Sequence, residues 1–381
     1  MSRIALALGC AATLLMVGAA SAASPSKAAR QGPLVIAKQG EFFVGGHKIQ
    51  RGGAEKLVDH MYVEYQIPAH RTHRYPIVLI HGGGGTGVTF GSTPDGREGW
   101  ADYFVRHGYA VYRVDEPTRG RAEWDPDVDG PLSSSPPGSA ERMFTAAAKF
   151  NQWPQAHLHT QFPGTGLPGD PAYEQFTASI SASIDGGKRM DAITRDALVA
   201  LLDKIGPAIL LTHSRSGPFG WLTADARPSL VKAIIAIEPN GPPFKNAAAT
   251  VANGPPASER DWGITYEPMS FAPAVTNPAE LAPVQDPPEA PDLLGCWRIG
   301  GAPRTLPKLV GTPIMIVSSE AGYHSQYDHC TSQFLTRAGV ANDLVRLGRI
   351  GIHGNDHIMM AEKNNREIAG VIDAWLTKRG R

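Results

Sequence analysis

The stretch Pro207-Ala208-Ile209-Leu210-Leu211-Thr212-His213-Ser214-Arg215-Ser216-Gly217 decides how the rest of the chain is read. Its apolar run over 207–211 has no in–out alternation. That pattern reads as a strand buried on both faces, as in a parallel sheet covered by helices. The run breaks at Thr212, and a helical pattern resumes and runs to about residue 226. A serine at such a strand-to-helix turn can be held in a strained backbone conformation, with its hydroxyl presented above the sheet. The turn is so tight that the residues two before and two after the serine must be small. For Ser214 these are Thr212 and Ser216; for Ser216 they are Ser214 and Pro218, whose ring crowds the turn. Ser214 is therefore the candidate nucleophile. The bland alternative is an ordinary turn with a capping serine, and Thr212 stands where glycine is usual in such turns.

Working outward, the same alternation recurs. An apolar run at 76–80, a glycine-rich turn, a helix over 97–107 and a strand at 109–114 form a strand–helix–strand unit. Earlier strands are predicted at 41–44 and 60–68. A helix over 190–205 precedes the quoted stretch. After it come strands at 231–237 and 313–318, a helix through 335, a short strand at 344–347 and an amphipathic helix over 367–377. The expectation is an α/β fold with a mostly parallel central sheet covered by helices on both faces. Residues 121–186 and 239–310, rich in Pro, Gly, Trp and Phe, interrupt the alternation. Long irregular insertions in a compact domain are usually lids or binding loops, so one catalytic domain over 40–381 with two lid insertions is expected.

The amino terminus reads as a targeting segment. Arg3, an apolar stretch over 4–17 and Ala20-Ser21-Ala22 predict a signal peptide over 1–22, a mature chain from Ala23 and a loose segment over 23–39. Export follows, to a periplasmic or secreted location. Cys10 lacks a good lipobox, and no later stretch approaches the ~20 apolar residues of a membrane span. Equal numbers of basic and acidic residues, 36 each, give no electrostatic reason to expect a nucleic-acid or anionic-membrane partner. Once the leader is removed, only Cys296 and Cys330 remain. In an oxidising compartment they are expected to pair, tying the second insertion to the scaffold; two buried thiols are the alternative.

Chemistry concentrates at three further places. His81-Gly82-Gly83-Gly84-Gly85-Thr86-Gly87 follows a buried strand. Glycines let backbone N–H groups approach an oxyanion, so Gly83 or Gly84, together with the N–H of Arg215, is the candidate oxyanion hole. A rival exists: Gly82–Gly87 also satisfies G-x-G-x-x-G, with Asp115 ending the next strand, which is the layout of a dinucleotide-binding oxidoreductase. Gly91, Pro94 and Gly96 delay the helix that this rival needs. The base is sought among 13 histidines, and the 351–360 loop after the last strand offers His353 and His357. The spacing from Gly354 and the apolar Ile358-Met359-Met360 favour His357, leaving His353 to structure the loop. Two glutamates end neighbouring strands, Glu238 and Glu320, and either could orient the base; Asp356 reads as a loop cap. His157 and His159 make one weak metal-like pair, and no metal or other cofactor is expected. Trp124, Trp153, Phe162, Trp221 and Trp297 lie in or near the insertions. They either line a site for a substrate with an apolar or aromatic group or form the core of the lids.

Taken together, the strand before His81-Gly82, the turn over 212–217 and the late histidine loop resemble the α/β-hydrolase superfamily, in the chain order Ser, Glu, His. More narrowly the chain resembles a small group of bacterial esterases whose acid is a glutamate after the strand that follows the nucleophile. Thr93-Pro94-Asp95-Gly96-Arg97, Gly120-Arg121, Ile237-Glu238-Pro239, Tyr327-Asp328-His329-Cys330 and Gly351-Ile352-His353-Gly354-Asn355 carry this likeness, over roughly residues 35–378. One departure is that Gly83 and Gly84 stand where the group can carry a pair of cysteines. The resemblance implies an α/β-hydrolase fold and an exported serine esterase. It assigns Ser214 as nucleophile, Glu238 as acid and His357 as base, acting on a small-molecule ester through an acyl-enzyme. The competing class is a non-catalytic binding protein on the same scaffold.

Overall fold

The computed structural model describes residues 32–184, 186–245 and 259–381, so the expected signal peptide lies outside the described residues. Two long antiparallel strands open the described chain, β1 (Ile36–Arg51) and β2 (Ala54–Pro68). They extend well beyond the short strands expected at 41–44 and 60–68. The two-residue turn between them is Gly52-Gly53, with φ of 57° and 83°. Only glycine adopts two such angles without strain, and such turns match the twist of paired strands.

The alternating part follows as β3 (Ile77–Ile80), α1 (Trp100–Arg106), β4 (Val111–Asp115), α2 (Pro171–Ala178), α3 (Gly187–Ile205) and β5 (Ala208–His213). It continues with α4 (Gly217–Ala226), β6 (Val231–Ile237), β7 (Ile314–Ser318), α5 (Asp328–Arg337), β8 (Asp343–Arg346) and α6 (Asn365–Lys378). The eight strands form one sheet in the order β1-β2-β4-β3-β5-β6-β7-β8. β2 runs antiparallel to both its neighbours, and all pairings from β4 to β8 are parallel. The expected mostly parallel α/β sheet is what the chain builds.

Strand periodicity explains why the central runs are apolar throughout. Val78, Ile80, Leu210 and Ile234 face one core, with Leu198, Leu201 and Leu202 of α3, Trp221 of α4 and Phe334 of α5. Ile77, Leu79, Ile209 and Leu211 face the other, with Trp100 and Phe104 of α1 and Ile368, Ile372 and Leu376 of α6. Successive side chains point to opposite faces, and both faces are covered. The helix expected from residue 97 starts instead at Trp100. The preceding chain is folded into a loop by Gly99 N–H to Gly91 O (2.8 Å) and by a bridge between Ser92 and Glu98.

The first interruption holds α2 and a small ribbon of Leu132–Ser133 against Ser183–Ile184. The second holds a ribbon of Pro283–Gln285 against Trp297–Ile299. Cys296 and Cys330 are joined in a disulfide with a Cα–Cα distance of 5.0 Å. It ties this second ribbon to α5. Among the described residues, no helix is long and apolar enough to cross a membrane.

Candidate active site

β5 ends at His213, and Ser214 follows with φ of +54°. A non-glycine residue in the left-handed region is strained by roughly 1–3 kcal/mol and persists only where its surroundings impose it. Those surroundings are tight. A Cβ on Gly82 would lie 2.8 Å from His213 Nδ1 and 3.0 Å from Ser214 Cβ, and one on Gly217 would lie 2.6 Å from Pro239 Cβ. The two neighbouring serines are distinguished by burial. Ser216 is buried; its hydroxyl accepts from His213 N–H (2.7 Å) and donates toward Ile80 O and His213 O (2.9 Å each). It pins the ends of β3 and β5 together, whereas Ser214 is partly exposed.

The histidine loop is tied to the same turn. His213 Nε2 lies 2.9 Å from the carbonyl of His357, so this nitrogen donates. Burial pushes the His213 imidazole well below the ordinary histidine range, which keeps it neutral. His357 is buried, and its Nδ1 lies 2.6 Å from Glu238 Oε2. Glu238 follows β6 with φ of +41°, a second strained residue at the same edge of the sheet. Its other oxygen accepts from Ser319 N–H (2.7 Å) and from the Ser319 hydroxyl. A Cβ on Gly322 would lie 3.1 Å from both Glu238 carboxylate oxygens, so glycine there lets the chain close over the acid. Burial opposes ionisation of Glu238, but the bond to His357, the nearby His324 and the Ser319 hydroxyl together hold its pKa down at about 2. Burial and the neighbouring His324 lower the pKa of His357, with Glu238 acting in the opposite direction.

The second glutamate goes elsewhere. Glu320 Oε1 meets His353 Nδ1 at 2.9 Å, and its Oε2 accepts from Gly354 N–H at 2.9 Å. The structure thus pairs Glu238 with His357 and Glu320 with the exposed His353. Asp356 Oδ1 accepts from His357 N–H at 2.6 Å. His157 and His159 diverge: His157 is exposed, while His159 is buried with Nε2 2.8 Å from Glu362 Oε1. Two clusters among the described residues bring three metal-type donors within 4.8 Å of one another. In Cys296–His329–Cys330 the sulfurs are joined to each other, and in Glu238–His324–His357 the carboxylate is bonded to the imidazole.

Ser214, His357 and residues 82–85 line one cavity of 370 Å³. The glycine loop is clamped from behind. Arg119 reaches Gly82 O and Gly85 O (3.4 Å each), Ser181 N–H donates to Gly84 O (2.7 Å), and Gly87 N–H donates to Asp115 Oδ1 (2.7 Å). A Cβ on Gly83 would sit 3.7 Å from Arg215 Cδ, so the loop runs beside the residue after the turn serine. The dinucleotide reading fails on two features. Asp115 is spent on Gly87 and Arg121 rather than facing a ligand, and Gly87 opens only a four-residue 3-10 turn.

Of the two readings of the five aromatics, burial rather than a substrate wall is what the structure shows. None of Trp124, Trp153, Phe162, Trp221 and Trp297 borders the cavity. Trp153, Phe162 and Trp221 are buried, and the Trp153 indole donates to Ala321 O (2.7 Å). Large aromatics gain most by burial, so Trp153 and Phe162 anchor loops to the scaffold while Trp221 of α4 fills the core under the sheet. The apolar wall comes instead from Phe144, Phe176, Ile180 and Ile358, with Tyr323 beside His357. Tyr323, His324 and Ser319 escaped the sequence reading, although their place just beyond a central parallel strand, where ligands bind in open α/β sheets, could have marked them.

No family model matches the chain. It is 42% identical over 320 residues to the probable secreted lipase phiG of a fungal species (strain ATCC 74256), a match that covers 84% of this chain and 86% of that protein. The structure of a novel bacterial esterase superposes with a TM-score of 0.58 at 25% identity, covering 92% of this chain and 99% of the other.

Proposed function

The chain belongs to the α/β-hydrolase superfamily, in the family of that secreted lipase, and from this membership we propose that it is an exported ester hydrolase acting through Ser214. The observation that carries the reading is one cavity bordered by Ser214, by the Nε2 side of a His357 whose Nδ1 is held by Glu238, and by a glycine loop. Export is supported by the leader-like residues 1–22 and by the secreted relative.

The chemistry is two-step acyl transfer. Glu238, ionised at working pH, requires the proton of His357 to sit on Nδ1, which leaves Nε2 as the acceptor. Nε2 takes the proton of Ser214 as its oxygen attacks the ester carbonyl. The oxyanion is received by backbone N–H groups of Gly83 or Gly84 and of Arg215. His357 then returns the proton to the leaving alcohol, and water repeats the sequence to release the acid. Phe144, Phe176 and Ile180 border the cavity, and among the described residues no lysine, arginine, aspartate or glutamate does, which supports a small neutral ester with an apolar portion against these side chains.

The test is labelling with a fluorophosphonate together with ester hydrolysis. Wild-type protein should label at Ser214 and hydrolyse simple esters. Ser214→Ala should lose the label and several orders of magnitude in kcat while retaining its thermal midpoint. Ser216→Ala should lower the midpoint, since Ser216 bonds β3 to β5. Absence of labelling in the folded wild-type protein would favour a binding protein on this scaffold.

A further inference from the structure

Tyr323 is a polar group at this cavity, beside His357, that the acyl-transfer scheme does not use. It opens the short 3-10 turn Tyr323–Gln326 beyond β7, and it is buried. Its ring is held on several sides: Trp153 meets it edge-on at 6.0 Å between centroids, and His324 lies at 4.5 Å. Trp153 is itself fixed by its bond to Ala321 O, two residues before the tyrosine. The Tyr323 ring packs in a cluster that includes the Cys296–Cys330 bridge. A phenol this constrained keeps its hydroxyl in one place.

That place is informative. Tyr323 Oη stands 3.4 Å from His357 Nε2, the nitrogen that must receive and return the proton. It also interacts with the side chain of Ser214. The glycine loop and Arg215 serve the carbonyl oxygen, whereas Tyr323 adjoins the histidine. In a tetrahedral intermediate the atom facing the histidine is the oxygen that will leave, because His357 protonates it. Burial and the nearby Glu238 carboxylate raise the phenol's pKa, so the hydroxyl remains a donor at any working pH.

We propose that Tyr323 is a catalytic residue whose hydroxyl donates a hydrogen bond to the leaving-group oxygen as the carbon–oxygen bond breaks. The Nε2 proton of His357 moves to that oxygen, the bonding electron pair goes with it, and Tyr323 keeps its own proton throughout. The inference rests on the acyl-transfer reading. A hydrogen bond to an oxygen gaining negative charge matters most when the alcohol is a poor leaving group, so the role predicts selectivity as well as rate.

The experiment compares Tyr323→Phe with wild type in the full chain, on esters of one acyl group with p-nitrophenol, phenol and ethanol. The kcat/KM should fall less than about threefold on the p-nitrophenyl ester and roughly ten- to a hundredfold on the ethyl ester, the range for one bond to a charged oxygen. An equal loss on all three, or none, overturns the proposal. Should the phenylalanine variant not fold, 3-fluorotyrosine placed at position 323 keeps the ring and strengthens the donor. It should then favour the ethyl ester relative to the p-nitrophenyl ester, and an unchanged ratio overturns the proposal. Ser214→Ala is run beside them. If it stays active, the acyl-transfer reading fails; if it is dead while Tyr323→Phe loses rate uniformly, only the tyrosine's role fails.

Discussion

Replacing Glu238 with glutamine gives a sharp measure of the proposed machinery, because the surroundings dictate how the amide must lie. Glu238 Oε1 receives two donors, the Ser319 N–H at 2.7 Å and the Ser319 hydroxyl. The hydroxyl oxygen already accepts from Gly322 N–H at 3.0 Å, so its proton is directed at the acid. In Glu238→Gln the amide oxygen is therefore fixed toward Ser319, and the amide NH2 is turned to His357 Nδ1. Two donors cannot face each other, so the imidazole must carry its proton on Nε2, where it can no longer accept from Ser214. The imidazolium that forms during attack also loses its counter-charge. Loss of the equivalent carboxylate in serine hydrolases costs about 10⁴ in kcat, so a fall of roughly 10²–10⁴ is expected, or about 3–5 kcal/mol in the barrier. Glu320→Gln removes a partner of a His353 whose side chain is 64% exposed. Exposed pairs contribute at most about 1 kcal/mol, so kcat should fall less than tenfold. The assay is kcat on one soluble ester, with thermal midpoints to confirm that both variants fold. A Glu320→Gln loss equal to or larger than that of Glu238→Gln would refute the assignment.

Two more expectations follow from the same geometry. The base must be neutral to work, so activity is present above the pKa of His357 and is lost as pH falls through it. Since burial and His324 lower that pKa from 6.5, the acid limb of kcat/KM should lie below pH 6.5, and a limb centred above 7 would contradict it. The Cys296–Cys330 bridge spans 34 positions. Its loss in Cys296→Ser should destabilise by roughly 3–4 kcal/mol in the chain-entropy model, read as a lower denaturant midpoint; an unchanged midpoint would show that the bridge does not form in solution.

Local chemistry made much of this molecule readable. The apolar runs around Val78, Leu210 and Ile235 mark doubly buried parallel strands, because a strand covered on both faces has no polar side to alternate with. The crowding rule at 212–217 separates Ser214 from Ser216, since Pro218 lies in the sequence whether or not the chain is folded. Pairing across the chain is another matter. Glu238 and Glu320 end adjacent strands and look alike in sequence. What separates them is that His357 and His353, four residues apart in one loop, turn to opposite partners. The five aromatics singled out in or near the insertions are just as ambiguous, because a side chain that lines a pocket and one that is buried in the scaffold share the same composition. Tyr323 and Ser319 carry no mark beyond their place after a central strand. Their roles arise only when the loop beyond β7 closes over Glu238, which brings residues some eighty positions apart within hydrogen-bonding distance. Sequence determines the strands, the turn and the candidate groups through local sterics and hydrophobic periodicity. Which donor meets which acceptor is decided by the register of the sheet and the packing of the loops above it.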